Sequence, residues 1–230
     1  MSYGDWLAAP REKRFFEGSR LLFREIPGKN KRIQAAYIEE TAYYGHSITP
    51  FVKSENLSNG VSLMFLLAIA NSNLISFYGR LKLPNFGKDV FPKINPQDIK
   101  MLPVPTTSSD TQLILEKAAN ELIHINMELS SLTTRLLILL TAKYPNLNPT
   151  KKLSAWPDLS FAEFLKEVKK QKIAWSLGEQ AEWLEHFTKE QAAARALQQE
   201  IDSTDREIDR LVHALYGLTA EEIALVEGQA

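Results

Sequence analysis

The chain has 230 residues, 44% hydrophobic and 24% charged, enough to bury a real core in one large domain or two small ones, which excludes disorder throughout. It contains no cysteine, so disulfide scaffolds, thiolate zinc sites and cysteine nucleophiles are excluded, and a reducing compartment, the cytoplasm, is the expectation. The formal net charge of −1 conceals a polarity: residues 1–110 carry 14 Lys/Arg against 10 Asp/Glu and residues 111–230 carry 13 against 18, about +4 against about −5.

The first half reads as alternation broken by turn signals. Residues 20–26 form an apolar-rich run stopped by Pro27 and Gly28, residues 34–39 follow after a polar turn, and residues 43–52 supply a third segment. These predict strands, with Pro50 restricting the third to an edge or an ending. Over residues 62–80 the period becomes helical, Leu63, Leu66, Leu67, Ala70 and Leu74 sharing a face, with residues 71–73 as a cap and restart. Residues 83–87 break that helix, and Val90 to Ile94 reads as one more short strand. Val61 to Ile75, the most apolar run, is interrupted by polar residues and shorter than the ~20 residues that cross a bilayer, so a soluble chain with no membrane partner is expected.

From Asn95 to Pro105 a proline-rich exit leads into a helix with a seven-residue apolar repeat. Leu115, Ala118, Leu122, Ile125, Leu129, Leu132, Leu136 and Leu139 alternate spacings of three and four, which keeps one face against a partner helix. Pro145 and Pro149 end it. Asp158 is a candidate cap for a helix over residues 159–172. A second long helix over about 179–216 carries Trp183, Phe187, Ala194, Leu197, Ile201, Ile208, Leu211 and Leu215 on a matching repeat, with Glu190 and Thr204 as its polar positions. Gly217 marks its stop, and Thr219 with Glu222 forms a capping box for a last helix over 220–227. The expected fold is α+β: a small mixed domain over residues 1–108, then a helical region over 109–230 built on an antiparallel pair, about 111–143 and 179–216.

Catalytic signatures are missing or explained more simply. Trp156, Pro157 and Asp158 followed by Glu163 and Lys166 mimic a nuclease constellation, but that chemistry needs an acidic pair on neighbouring strands, and a helix start accounts for these residues. His46, His124, His186 and His213 are too scattered for a metal site by spacing. Asp202, Asp205, Glu207 and Asp209 beside Arg206 and Arg210 read as a salt-bridged solvent face. No glycine-rich nucleotide loop and no Gly-x-Ser-x-Gly elbow occurs. Eight cations, Arg11, Lys13, Arg14, Arg20, Arg24, Lys29, Lys31 and Arg32, crowd the front of the chain. The cluster reads either as a solvated surface or as the footprint of a phosphate backbone.

Taken in order, Phe15–Gly18 leading into Leu21–Pro27, the Leu67–Phe77 helix, Phe91–Ile94 and Leu102–Pro105 resemble the TaqI-like C-terminal specificity domain. Residues 205–227 look like the extreme C terminus of the same group, so the resemblance spans nearly the whole chain. It implies the target-recognition part of an adenine-N6 DNA methyltransferase or of a fused type IIG restriction–modification enzyme. The Asn/Asp-Pro-Pro-Tyr/Phe loop and the glycine motif for S-adenosylmethionine that such methyltransferases need are both absent. The chain is therefore expected not to be an enzyme on its own. S-adenosylmethionine would belong to a methyltransferase part encoded or folded elsewhere, with or without a nuclease, and the chain would be one domain of a longer protein or a separate specificity subunit.

On that reading double-stranded DNA is the partner. Arg11, Arg14, Arg24, Lys29, Lys31, Arg32, Lys82 and Lys88 are the candidates for phosphates, and Tyr43, Tyr44, His46 and Asn85 for base edges. The helices, which resemble those of type I specificity subunits, would be a spacer or docking surface for the methyltransferase and offer a seam for a homodimer. Two alternatives stand beside this one: an enzyme with a cryptic site, and a helical scaffold or oligomerisation protein that binds no DNA.

Overall fold

The computed structural model describes residues 12–28, 31–53, 60–88 and 90–228. The fold is α+β, and the chain divides into two compact units: Met1–Asn120 together with Asp205–Ala230, and Glu121–Thr204.

The first unit is built on a three-stranded antiparallel sheet in the order β2-β1-β3, from β1 (Arg20–Arg24), β2 (Ala35–Ile38) and β3 (Ile48–Phe51). Leu22 lies opposite Ala36 on one side and Pro50 on the other. Proline thus falls on an outer strand, where its missing N–H is tolerated. Leu21 and Phe23 point to the buried face, which α1 (Leu63–Asn71) covers with Phe65 and Ile69. By the two-residue period Arg20, Leu22 and Arg24 belong to the opposite face.

Ser62 caps α1 by accepting the Phe65 N–H at 3.1 Å. Ser72 ends that helix and caps α2 (Asn73–Lys82), accepting the Ile75 N–H at 3.3 Å. Hydroxyls in this role satisfy amides that have no partner inside the helix. The turn after α2 admits no side chain at Gly87, where a Cβ would lie 2.4 Å from the Arg80 carbonyl oxygen. The expected strand over Val90 to Ile94 does not form. This stretch instead crosses the end of β1, with Ile94 N–H on the Glu25 carbonyl at 2.9 Å and Lys93 N–H on the Asn85 carbonyl at 3.0 Å. Two isolated bonds to different segments do not make a ladder. A short helix, α3 (Pro96–Lys100), follows, its Asp98 carboxylate accepting the Asn95 N–H at 2.8 Å.

Two long helices, α4 (Ser109–Lys143) and α7 (Leu177–Tyr216), contribute residues to both units, and α8 (Ala220–Glu227) closes the chain. Gly217 takes a positive φ of 68° at the stop of α7, and the Thr219–Glu222 capping box starts α8. The end of α7, from Asp205, belongs to the first unit and packs within it. Asp205 and Asp209 meet Arg32, and Asp209 accepts the Asn73 N–H. His213 shares a 2.8 Å hydrogen bond with the Asn73 side chain, and the Tyr216 hydroxyl donates to the Pro103 carbonyl at 2.6 Å. Burial pushes the Tyr216 phenol well above its ordinary range. Of the acidic run expected to face solvent, the Glu207–Arg210 pair does so; Asp209 is buried and Asp205 partly buried, because Arg32 lies opposite them.

In the second unit α4 and α7 run antiparallel, as the Arg135–Glu190 pair at 2.6 Å and the Lys143–Glu179 pair at 3.2 Å require. Between them lie α5 (Lys151–Ser154), a 3-10 turn at Trp156–Asp158 and α6 (Phe161–Lys170). Trp156 is fully buried, and its indole N–H donates to the Thr133 carbonyl at 3.1 Å. Around it pack Leu132, Leu136, Leu140, Phe164 and Phe187, while Trp175 and Trp183 stack with centroids 5.2 Å apart. The α6 cap is Ser160, through a capping box with Glu163, and not Asp158, which ends the preceding turn. The heptad seam leaves Leu139 exposed and buries Leu140 instead. A straight helix turns every 3.6 residues, so a 3.5 repeat drifts off the contact line.

Candidate nucleic-acid interface

The candidate surface is built from the N-terminal turn and the loop after β2. Lys13–Phe15 forms a 3-10 turn whose continuation, Phe16, is buried. The Phe16 carbonyl accepts the Ala42 N–H at 3.0 Å, and its ring lies 5.3 Å from the Tyr43 ring and 5.2 Å from the Tyr44 ring. The Tyr44 hydroxyl donates to the Phe15 carbonyl. Arg14 sits 5.0 Å over the Phe15 ring and pairs with Glu12 at 2.8 Å, both side chains well exposed. One surface therefore gathers Arg14, Tyr43 and Tyr44, with His46 exposed at the following turn. Aromatic rings beside a guanidinium are chemically suited to base and phosphate contact.

A second group sits after α2. Lys82 is exposed at the helix end, and Lys88 donates to the Asn85 side chain at 2.8 Å. The adjoining tip presents Val90 and Phe91 to solvent, Phe91 being 81% exposed and holding a φ of 55° that is unfavourable for a side chain of its size. Lys93 pairs with Glu25 at 3.1 Å. Val90, Phe91 and Lys93 are not among the residues that the sequence marks for DNA contact, since an apolar pair before a proline reads as a strand until its exposure is known.

Arg24 is exposed at the end of β1 and donates to the Gln34 side chain at 3.2 Å. Lys31 is partly buried with a φ of 51°. Arg32 is turned inward: it bonds Asp205 at 2.6 Å and the Asn71 carbonyl at 2.6 Å, with Asp209 at 3.7 Å. Its guanidinium is thus committed to the docking of α7. Arg11 and Lys29 lie outside the described residues.

Among the described residues no group of three or more histidines and carboxylates could hold a metal ion. No helix among them is long and apolar enough to cross a membrane.

Comparison with known families divides the chain in two. Residues 2–104 match the TaqI-like C-terminal specificity domain, and residues 108–212 match a domain of unknown function, DUF8810. No curated protein and no solved structure matches the chain significantly. The specificity-domain match stops before α4, so the likeness read in residues 205–227 falls outside it. The segment that folds as the β-sheet, α1 to α3 and the aromatic–cationic surface is thus similar to a specificity rather than a catalytic domain: residues 2–104 match the TaqI-like C-terminal specificity domain, which supports a DNA-recognition module of the restriction–modification kind.

Proposed function

We propose that this specificity domain reads a short DNA sequence on behalf of an adenine-N6 methyltransferase, alone or fused to a nuclease, and that residues 109–230 are the spacer and docking region for that catalytic part. S-adenosylmethionine would be bound by the partner, because this chain lacks the loops that hold it and the flipped adenine. The observation that carries the reading is the joining of Arg14, Tyr43 and Tyr44 through Phe15 and Phe16 inside the matched segment.

Arg14, Arg24, Lys31, Lys82 and Lys88, with Arg11 and Lys29, supply phosphate contacts that fix register. Tyr43, Tyr44, His46 and Asn85 supply base contacts. Phe91 adds an apolar surface that a groove would cover. Arg32 contributes through its charge from a position held by Asp205.

The test is selection of duplexes from a random pool by the purified chain, with methyl transfer assayed in parallel. Enrichment of one short motif and no methylation by the chain alone is the expected result. Methylation or cleavage by the chain alone would favour the cryptic enzyme, and no DNA affinity at ~50 mM salt would favour the scaffold.

A further inference from the structure

We propose that Arg20 is the positioning residue of the reading surface, its buried guanidinium holding the loop that carries Tyr43, Tyr44 and His46 in one orientation before DNA arrives. This rests on the DNA-reading function proposed above and names a residue on which its specificity depends.

Arg20 is the first residue of the central strand and is 0% exposed. Charged side chains are almost never fully buried without a charged partner. Yet among the described residues no carboxylate lies within ion-pair distance of Arg20. Its donors go to main-chain carbonyls, Gly18 at 2.6 Å and Glu40 at 3.0 Å, and its Nε is left without a partner. The guanidinium carbon also lies 6.0 Å from the centre of the Tyr44 ring. An arginine kept in the interior with an incomplete set of bonds has a task that a hydrophobic residue could not do.

The two carbonyls identify that task. Gly18 belongs to the bend entering β1, where its φ of 70° turns its own carbonyl, and Glu40 belongs to the bend leaving β2. Arg20 bridges them with a planar fork of donors, a shape that lysine does not have. The loop after Glu40 is tied at two further points to the same N-terminal turn, Ala42 N–H to the Phe16 carbonyl and the Tyr44 hydroxyl to the Phe15 carbonyl. Both segments flank one strand pair, and the bridge makes them a single body. A reading surface fixed in advance loses less freedom when it binds, and its side chains discriminate better between base edges.

The test uses the full chain with Arg20→Met and Arg20→Lys. Amide hydrogen exchange is read at Ala42, with the Arg24 amide, bonded to the Gln34 carbonyl at 2.9 Å, as the control within the sheet. In the unaltered chain the Ala42 amide is expected to be protected to within about tenfold of Arg24, and in both variants to lose about tenfold or more while Arg24 holds. In both variants, discrimination between an enriched duplex and its scrambled version is expected to fall about tenfold or more, with the slope of log affinity on log salt unchanged. A purely structural role would lower Ala42 and Arg24 protection together, and that result overturns the proposal. Full rescue by Arg20→Lys also overturns it, since charge alone would then suffice. If neither variant folds, the unaltered chain still decides: an Ala42 amide exchanging like an open loop refutes the bridge. A pool that yields no motif refutes the DNA reading instead, and exchange then judges the bridge by itself.

Discussion

The Asp209 carboxylate of α7 accepts the backbone N–H of Asn73, the first residue of α2, at 2.7 Å. An anion at a helix N-terminus meets amides without helical partners and the positive end of the helix dipole. These residues are 136 positions apart, so the last turns of α7 complete a unit whose other elements come from the first half of the chain.

Asp209→Ala is accordingly expected to destabilise the first unit by about 1–3 kcal/mol, the cost of leaving a buried amide and part of Arg32 unpaired. Urea denaturation followed by exchange of α2 amides measures it, and a change within error would exclude the docking contact as a stabilising one.

Asp209→Asn gives a pH signature. Burial raises the Asp209 carboxyl above its ordinary 3.8, only partly opposed by the Asn73 N–H and Arg32. A carboxyl raised on folding favours the folded state fully below 3.8, and that contribution disappears as pH rises through the folded value. The stability of Asp209→Asn relative to the unaltered chain should therefore increase with pH above about 3.8. A pH-independent difference would contradict the assignment.

Glu179 behaves in the opposite sense. The Ser176 backbone N–H, then Lys143, hold its carboxyl down at about 2 instead of 4.5. Its contribution is present above 4.5 and lost as pH falls toward about 2, so Glu179→Gln should flatten the acid limb of the second unit's stability. Tryptophan fluorescence of a Trp6→Phe background follows that unit, because the other three of the four tryptophans, Trp156, Trp175 and Trp183, all lie in it. An unaltered acid limb in the variant would refute the contact.

Gly87→Ala places a methyl group against a carbonyl oxygen, a backbone conflict that no rotamer relieves. Overpacking of this kind costs about 1–3 kcal/mol, and the displaced turn carries Asn85 and Lys88. Reduced thermal stability together with weaker DNA binding is expected; unchanged values of both would mean that the turn is free to shift.

Local chemistry was legible in the sequence, and pairing across distance was not. The cap and restart within residues 71–73, Gly217 at a stop and the Thr219–Glu222 box each act within four residues and are legible in the sequence; that Ser72 is the capping residue comes from the structure. Ser160 was eclipsed by Asp158 because both are good caps, although only Ser160 has a glutamate three residues on. Val90 to Ile94 has the composition of a strand but no neighbour to pair with, which depends on where Glu25 and Asn85 lie. In the candidate site, the charge and aromatic content of residues 11–46 stood out at once. The inward turn of Arg32 toward Asp205, 173 positions away, and the burial of Arg20 belong to the tertiary structure alone.

The central claim, that the first domain holds DNA through its exposed cations, is tested most directly by the salt dependence of duplex binding to the unaltered chain and to a variant with Arg14, Lys82 and Lys88 all replaced by alanine. These three are exposed and leave the Arg32–Asp205 contact intact. Each lost phosphate contact should reduce the slope of log affinity on log salt by about 0.9, and affinity at ~50 mM salt should fall by about tenfold or more. An unchanged slope in the variant, or no binding by the unaltered chain at that salt, would contradict the account.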